Sequence, residues 1–326
     1  MELVDQMNSI EARPSREALI EGILRFLATQ DLLTVRDIRV ALEREIDDAG
    51  SEALLALKTR LTTDNGWGYY PRDPLAQRIH HLLANRFLSG GSELQNTHYL
   101  PRGMDSPVVI VANHLSYADA NVIEVLLQSA GRAEVANRLT ALAGPKVFTS
   151  RERRFSSLCF GTVKVPQSAD VASGEASLSG RDVARAAKQS IGVALERLRE
   201  GDALLLFGEG TRSRNGDMQS MLTGVSRYLD LPGTWVLPLG ITGSETLFPV
   251  DASAPRPARV VAQLGCPIRV SDLLGRADGD RRVVTDAIGL AVAETVPPEY
   301  RGVYADNARF AKARRVLQDL RNSRKS

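Results

Sequence analysis

Apolar side chains recur at helical spacing through residues 15–88. Leu19, Ile23, Leu24 and the pair Phe26 and Leu27 lie three or four positions apart, and Leu54, Leu55, Leu57 and Leu61 repeat the pattern. Ala, Leu, Glu and Arg dominate here, and all favour helix. Residues 62–74 (TTDNGWGYYPRDP) interrupt the run with Gly, Asn, Asp and Pro. A second helical stretch, residues 75–88, runs into Ser89-Gly90-Gly91, a C-cap signal. The pattern then changes. Short β-branched runs at 108–112, 163–165, 203–207, 235–242 and 259–263 read as strands. Helical stretches at 118–128, 182–200, 218–229 and 282–295 alternate with them, the second stopped by Gly201 and the last by Pro297-Pro298. Strands alternating with helices predict an α/β fold, a mostly parallel sheet flanked by helices. Residues 1–90 are expected to form a small helical N-terminal domain and residues 91–326 the α/β domain. In such sheets, sites gather in the loops beyond the strand C-termini.

Composition narrows the class. Of 326 residues, 43% are hydrophobic and 25% charged, which excludes a disordered chain, a collagen and a coiled-coil rod. Lys+Arg is 41 against Asp+Glu 39, a net charge of +2, so no basic surplus points to nucleic acid. Two cysteines, Cys159 and Cys266, make neither a disulfide framework nor a zinc pattern. The apolar runs are strand-sized, and a membrane span is not expected. The first residues carry acids where a signal peptide needs bases. A cytoplasmic protein is expected, resting or not on the inner membrane surface. Residues 309–325 bear on that choice. Arg309, Lys312, Arg314, Arg315, Arg321, Arg324 and Lys325 face only Asp319, and Phe310, Val316, Leu317 and Leu320 share a stripe. A basic amphipathic helix of this kind can lie on an anionic surface; equally, it can pack on its own domain.

Two loops carry the candidate chemistry. The first follows the strand at 108–112 and reads Asn113-His114-Leu115-Ser116-Tyr117-Ala118-Asp119. A histidine titrates near neutrality and suits a general base; a carboxylate on its other ring nitrogen fixes the tautomer. Positions five apart lie ~140° apart on a straight helix. His114 and Asp119 therefore meet only if the histidine sits in the strand-to-helix turn and the aspartate in the first helical turn. The same residues fit a capping box, in which Asp119 only caps a helix. The second loop follows the strand at 203–207 and reads Gly208-Glu209-Gly210-Thr211-Arg212-Ser213-Arg214-Asn215-Gly216. Glycines permit close backbone approach, guanidiniums fit phosphate oxygens, and Thr211 and Ser213 add hydroxyls. The alternative is a solvated Gly-rich turn. No Walker A loop, nucleophile elbow or zincin motif is present. Cys159, between Leu158 and Phe160, reads as a core residue.

Asn113-His114-x4-Asp119 followed by Phe207-Gly208-Glu209-Gly210-Thr211-Arg212-Ser213 resembles the glycerophospholipid acyltransferase superfamily. Its first block is a His and an Asp separated by four residues, and its third is usually Phe-Pro-Glu-Gly-Thr-Arg. Val236-Leu237-Pro238-Leu239-Gly240-Ile241 resembles its fourth block, and Leu264-Gly265-Cys266-Pro267-Ile268 a later Gly-x-Pro-Ile turn. Gly208 stands where the family usually has Pro. Gln167 stands near the arginine of the second block, and Lys146 and Lys164 are the candidates for the missing acceptor charge. The helical N-terminal region resembles plastid-type glycerol-3-phosphate acyltransferases, whereas Gly-Thr-Arg-Ser resembles lysophosphatidate acyltransferases.

The resemblance implies transfer of a fatty acyl group from acyl-CoA or acyl-carrier protein to a hydroxyl of glycerol-3-phosphate or 1-acylglycerol-3-phosphate, with no metal or cofactor. His114 would be the base and Asp119 its orienting partner. Glu209, Gly210, Thr211, Arg212, Ser213 and Arg214 would form the acceptor site, with Arg212 on the phosphate. Backbone N–H groups at the helix start after His114 are candidates for the oxyanion. Two other readings stand beside this one: a non-catalytic lipid- or acyl-carrier-binding module, and a hydrolase using Ser116.

Overall fold

The structure is a computed structural model and describes residues 16–27, 32–100, 106–166, 179–249, 252, 254–306 and 308–323. Residues 1–15, Gln167, Arg324 and Lys325 lie outside these residues. The chain begins with helices α1 (Arg16–Phe26) and α2 (Leu32–Thr62), the latter broken at Gly50, where φ is 80°. Strand β1 (Tyr69–Tyr70) and helix α3 (Pro74–Phe87) follow. Asp73 caps α3 by accepting from the N–H groups of Leu75 and Ala76, and Pro74 supplies the preset φ of a first helical position.

The α/β part runs β2 (Glu93–Gln95), β3 (Val108–Ala112), α4 (Asp119–Ser129), α5 (Ala133–Ala136), β4 (Leu139–Ala143), α6 (Arg151–Ser157) and β5 (Gly161–Lys164). It continues α7 (Gly180–Arg199), β6 (Ala203–Phe207), β7 (Trp235–Thr242), α8 (Ser244–Leu247), β8 (Val261–Leu264), β9 (Ile268–Arg269), α9 (Val270–Arg276), α10 (Arg281–Ala293) and α11 (Ala311–Asn322). The strands form one sheet in the order β1-β5-β4-β6-β3-β7-β8-β2, with β9 also on β7. The pairs β5–β4, β4–β6, β6–β3, β3–β7 and β8–β2 are parallel; β1–β5, β7–β8 and β7–β9 are antiparallel. The sheet is thus mostly parallel, with helices on both faces.

Side-chain alternation in the central strands divides the core in two. Val108, Ile110 and Ala112 of β3 and Ala203 and Leu205 of β6 face the layer that holds α1 to α4. Val109, Val111, Leu204 and Leu206 face the layer of α7, α10 and α11. The N-terminal helices therefore share a core with the sheet, and β1 extends its edge. A polar seam fastens α3 to α4: Gln77 donates to buried Glu124 at 2.8 Å, and His81 Nε2 lies 2.7 Å from the same carboxylate. The seam fixes the helix whose first residue is Asp119.

One expectation needs correction, and one open alternative is decided. Residues 218–229 form an irregular segment and then a 3-10 helix, Thr223–Leu229, because Met218 and Leu222 are held by backbone bonds to Tyr300 and Gly208 rather than by a helical ladder. The apolar stripe near the C-terminus does not face a membrane. Phe310, Val316, Leu317 and Leu320 are buried in the same core cluster as residues of α9 and α10. Pro238 sits within β7 without breaking it. Its carbonyl accepts from Gly265, and a strand residue's N–H and C=O share a side. The missing donor therefore points at the turn between β8 and β9, where no ladder bond is needed. Among the described residues, no helix is long and apolar enough to cross a membrane.

Candidate active site

Strands β3 and β6 are adjacent and parallel, so the loops after them leave the same edge of the sheet side by side. Asn113 anchors the first loop. Its amide donates to the carbonyl of Ile241 and accepts from that residue's N–H, tying the β3 end to β7. His114 follows in the turn, and Asp119 opens α4. Asp119 Oδ2 lies 2.8 Å from His114 Nδ1 and accepts from the N–H groups of Leu115 (2.7 Å) and Ser116 (2.9 Å). The turn thus wraps around one fully buried carboxylate oxygen, while Oδ1 is buried with no hydrogen-bond partner. Capping-box hydrogen bonding is present as well, since Asp119 Oδ2 accepts from Ser116 N–H, but the same oxygen also meets His114. The Ser116 hydroxyl accepts from Ala118 N–H and donates to the carbonyl of Phe248, and Asp119 reaches backward to the turn. His114 stacks on Phe207, ring centroids 4.2 Å apart and planes 20° apart. Its side chain is 16% exposed, and Nε2 is the ring nitrogen that makes no hydrogen bond among the described residues.

The second loop is braced to the first. Glu209 accepts from the N–H groups of His114 (3.0 Å) and Gln219 (2.7 Å), one on each carboxylate oxygen. Ser213 N–H donates to the carbonyl of His114 at 2.7 Å, and its hydroxyl donates to Asn215. Both residues are buried. Backbone N–H groups occupy both Glu209 carboxylate oxygens, the Asn215 side chain takes the Ser213 hydroxyl, and the two residues hold the loops together. Burial pushes the Glu209 carboxyl from 4.5 up to about 7; the two N–H donors oppose this and the Asp119 charge adds to it. Gly208 explains its own departure from the family pattern. A Cβ there would fall 2.0 Å from Met221 Sδ, so the packed methionine occupies the space of a larger residue. Gly210 has φ 74° and is exposed, as are Thr211 and Arg214.

Arg212 lies over the ring of Tyr117, 3.9 Å from guanidinium carbon to centroid. Arg153 approaches the same ring at 5.3 Å. Tyr117 is thus a half-exposed aromatic plate approached by two cations, three residues from His114. Neither Arg153 nor Tyr117 was expected from the sequence, although the basic run Arg151-Glu152-Arg153-Arg154 was visible. Lys146 is exposed in the 3-10 turn after β4, and Lys164 ends β5 beside Trp67 and Phe148, each ring centroid 5.2 Å from its ammonium. Strand order separates Lys164 from His114 by β4 and β6. The N–H groups expected for an oxyanion are partly used: those of Leu115 and Ser116 bind Asp119, that of Ala118 binds the Ser116 hydroxyl, and that of Asp119 binds the Ser116 carbonyl.

A His–Asp pair and an arginine-bearing glycine loop thus stand side by side at one edge of a mostly parallel sheet. Residues 91–242, which contain both loops, match the model of the Acyltransferase family. The match spans a little under half of the chain and supports an acyltransferase-like domain over those residues. The structure is similar to that of the 1-acyl-sn-glycerophosphate acyltransferase PlsC from Thermotoga maritima, with 18% identity, a TM-score of 0.47, and coverage of 73% of this chain and 86% of that one. Among curated proteins, none matches the chain in sequence.

Proposed function

We propose that the protein transfers a fatty acyl group from a CoA or acyl-carrier-protein thioester to a hydroxyl of glycerol-3-phosphate or 1-acylglycerol-3-phosphate, with His114 as the base. The observation that carries this reading is the contact of His114 Nδ1 with buried Asp119, which leaves Nε2 as the basic atom. Nε2 takes the acceptor's hydroxyl proton as the oxygen attacks the thioester carbonyl. The tetrahedral intermediate collapses, the C–S bond breaks, and the imidazolium returns the proton to the leaving thiolate. Asp119 stabilises that imidazolium. Arg212 and Arg153, which both approach the Tyr117 ring, are the groups assigned to the acceptor phosphate. A phosphate close to the base suits this acceptor. About five bonds separate a terminal glycerol hydroxyl oxygen from phosphorus, ~6 Å at the rise of an extended chain. The scheme needs no metal and no covalent acyl-enzyme. Ser116 is a poor nucleophile in this arrangement, because it is buried and hydrogen-bonded through both proton and lone pair.

The test is purified protein with labelled palmitoyl-CoA against a panel of glycerol-3-phosphate and lysophospholipids. CoA release that requires one of these acceptors, with label in its ester, is expected. Release at the same rate without acceptor would support a hydrolase, and no release with any acceptor a binding module; either result rejects the proposal.

A further inference from the structure

A cavity of about 210 Å3 opens on the same edge of the sheet but away from His114, between the end of α2, β1, the end of β5 and the start of α6. Its charged lining is Arg151, Arg154 and Lys164 against Asp64. That carboxylate is turned elsewhere: it accepts from the Tyr70 hydroxyl at 2.6 Å and from Gly66 N–H at 2.9 Å. Arg154 is 5% exposed and makes no ion pair among the described residues. Its Nη2 donates to the carbonyl of Arg60, its guanidinium lies 4.1 Å over the Tyr70 ring, and its Nη1 is buried with no acceptor. A guanidinium buried without a carboxylate is costly. Beside a second cation and an open cavity, its empty donor position marks a place for an anion.

The sheet register sets how far that anion would lie from the base. Lys164 pairs with Ala143, and Ala112 with Phe207. The β4–β6 register, Ala141 on Leu205, carries on to set Ala143 beside Phe207. Lys164, Ala143, Phe207 and Ala112 therefore form one row across the sheet, and three strand spacings make ~14 Å. His114 is two residues beyond Ala112. An acceptor whose hydroxyl is at His114 reaches only ~6 Å to its phosphorus, so this cavity is out of its range. In a phosphopantetheine arm, about thirteen bonds run from sulfur to phosphorus, ~15 Å when extended. We infer that this cavity holds the phosphate of the donor's phosphopantetheine arm while the thioester lies at His114. Lys164 is thereby assigned to the donor rather than to the acceptor. The inference rests on the acyl-transfer reading only in taking the donor to be a phosphopantetheine thioester.

Binding separates the two ideas. Isothermal titration with 4'-phosphopantetheine, pantetheine and glycerol-3-phosphate is run on the wild type and on Lys164→Gln. Palmitoyl-phosphopantetheine and palmitoyl-pantetheine are then compared as donors with glycerol-3-phosphate. Loss of a charged hydrogen bond corresponds to about 10- to 150-fold. The wild type is expected to bind 4'-phosphopantetheine tighter than pantetheine by a factor in that range. Lys164→Gln should remove most of the difference and weaken glycerol-3-phosphate far less. Arg154→Gln is the second variant, with thermal unfolding as its folding control. Phosphate-dependent binding without acyl transfer to any acceptor leaves the cavity assignment standing and rejects the transferase reading. Transfer that is indifferent to the donor phosphate, or a Lys164→Gln defect confined to glycerol-3-phosphate, overturns the inference and leaves the transferase reading intact.

Discussion

Asp119→Asn isolates the carboxylate charge from the shape of the turn. Asp119 Oδ2 gathers three donors within 2.7–2.9 Å: His114 Nδ1, Leu115 N and Ser116 N. An asparagine oxygen can accept all three, but its NH2 then replaces Oδ1, which is buried and makes no hydrogen bond. Stranding a buried amide costs about 1–3 kcal/mol of stability. The charge acts separately on the reaction. A hydrogen bond to a charged group is worth about 1.5–3 kcal/mol against about 1 for a neutral one. The imidazolium formed in the transition state therefore loses roughly 1–2 kcal/mol, or about 5- to 30-fold in kcat. His114→Ala should cost about 10²–10⁴-fold, the usual worth of general acid–base catalysis. If Asp119 acts through His114, its own catalytic effect disappears once His114 is gone, so the double variant should be no slower than His114→Ala. Initial rates of CoA release at saturating acceptor, with urea unfolding of each variant, give both quantities. A double variant slower than His114→Ala by the full Asp119→Asn factor would refute the pairing. So would an Asp119→Asn enzyme of normal kcat and lowered stability, which would make Asp119 a brace for the turn alone.

Arg212→Ala is expected to raise the acceptor KM by about 10- to 150-fold, the worth of one charged hydrogen bond, with partial recovery in Arg212→Lys; exposed Arg214→Ala should matter less, and two-substrate kinetics showing the reverse would move the phosphate to the other arginine. Glu209 binds its proton more tightly folded than unfolded, with a pKa raised from 4.5 to about 7, so the stability it contributes is present below pH 4.5 and lost as pH rises to about 7. The loss is about 3 kcal/mol across that window; Glu209→Gln should abolish this slope in urea unfolding at pH 5 and pH 8, and parallel slopes would contradict the assignment. Gly208→Ala meets Met221 Sδ and should cost about 1–3 kcal/mol as overpacking; in the double variant with Met221→Ala the losses should fall short of additive, and strict additivity in unfolding would place the strain elsewhere. Removing residues 308–326 strips Phe310, Val316, Leu317 and Leu320 from the core. It should lower Tm sharply, whereas an unchanged Tm would show the helix to be detachable.

The elements legible in the sequence were those whose burial is uniform. The strands at 108–112, 203–207 and 235–242 appear with those bounds, because strands covered on both faces read as continuous apolar runs. Short or partly exposed strands carry no such signature. Tyr69–Tyr70 lies inside a Gly- and Asn-rich break, and Glu93–Gln95 is three residues long with an exposed end. The 218–229 stretch has helical composition, yet its backbone donors are claimed by Gly208 and Tyr300, far off in sequence. The C-terminal stripe is periodic whether a bilayer or α10 covers it, so its periodicity could not choose.

The same distinction divides the site. His114 and Asp119 are close in sequence, and one local condition, a turn followed by a first helical residue, decides that they touch. The structure meets that condition. Glu209 and Ser213 share a motif with Arg212, but motif membership does not say which side chains face outward. Glu209 turns inward because the N–H groups of His114 and Gln219 lack partners in their own turns, and a buried carboxylate satisfies both. Tyr117 and Arg153 come together across α4 and α6, a contact that only the packing of those helices creates. Lys164 was visible as a charge without an address. Its place is set by register, one row from β5 through β4 and β6 to β3, and that row gives the distance at which a phosphate can be held while a thioester stays at His114.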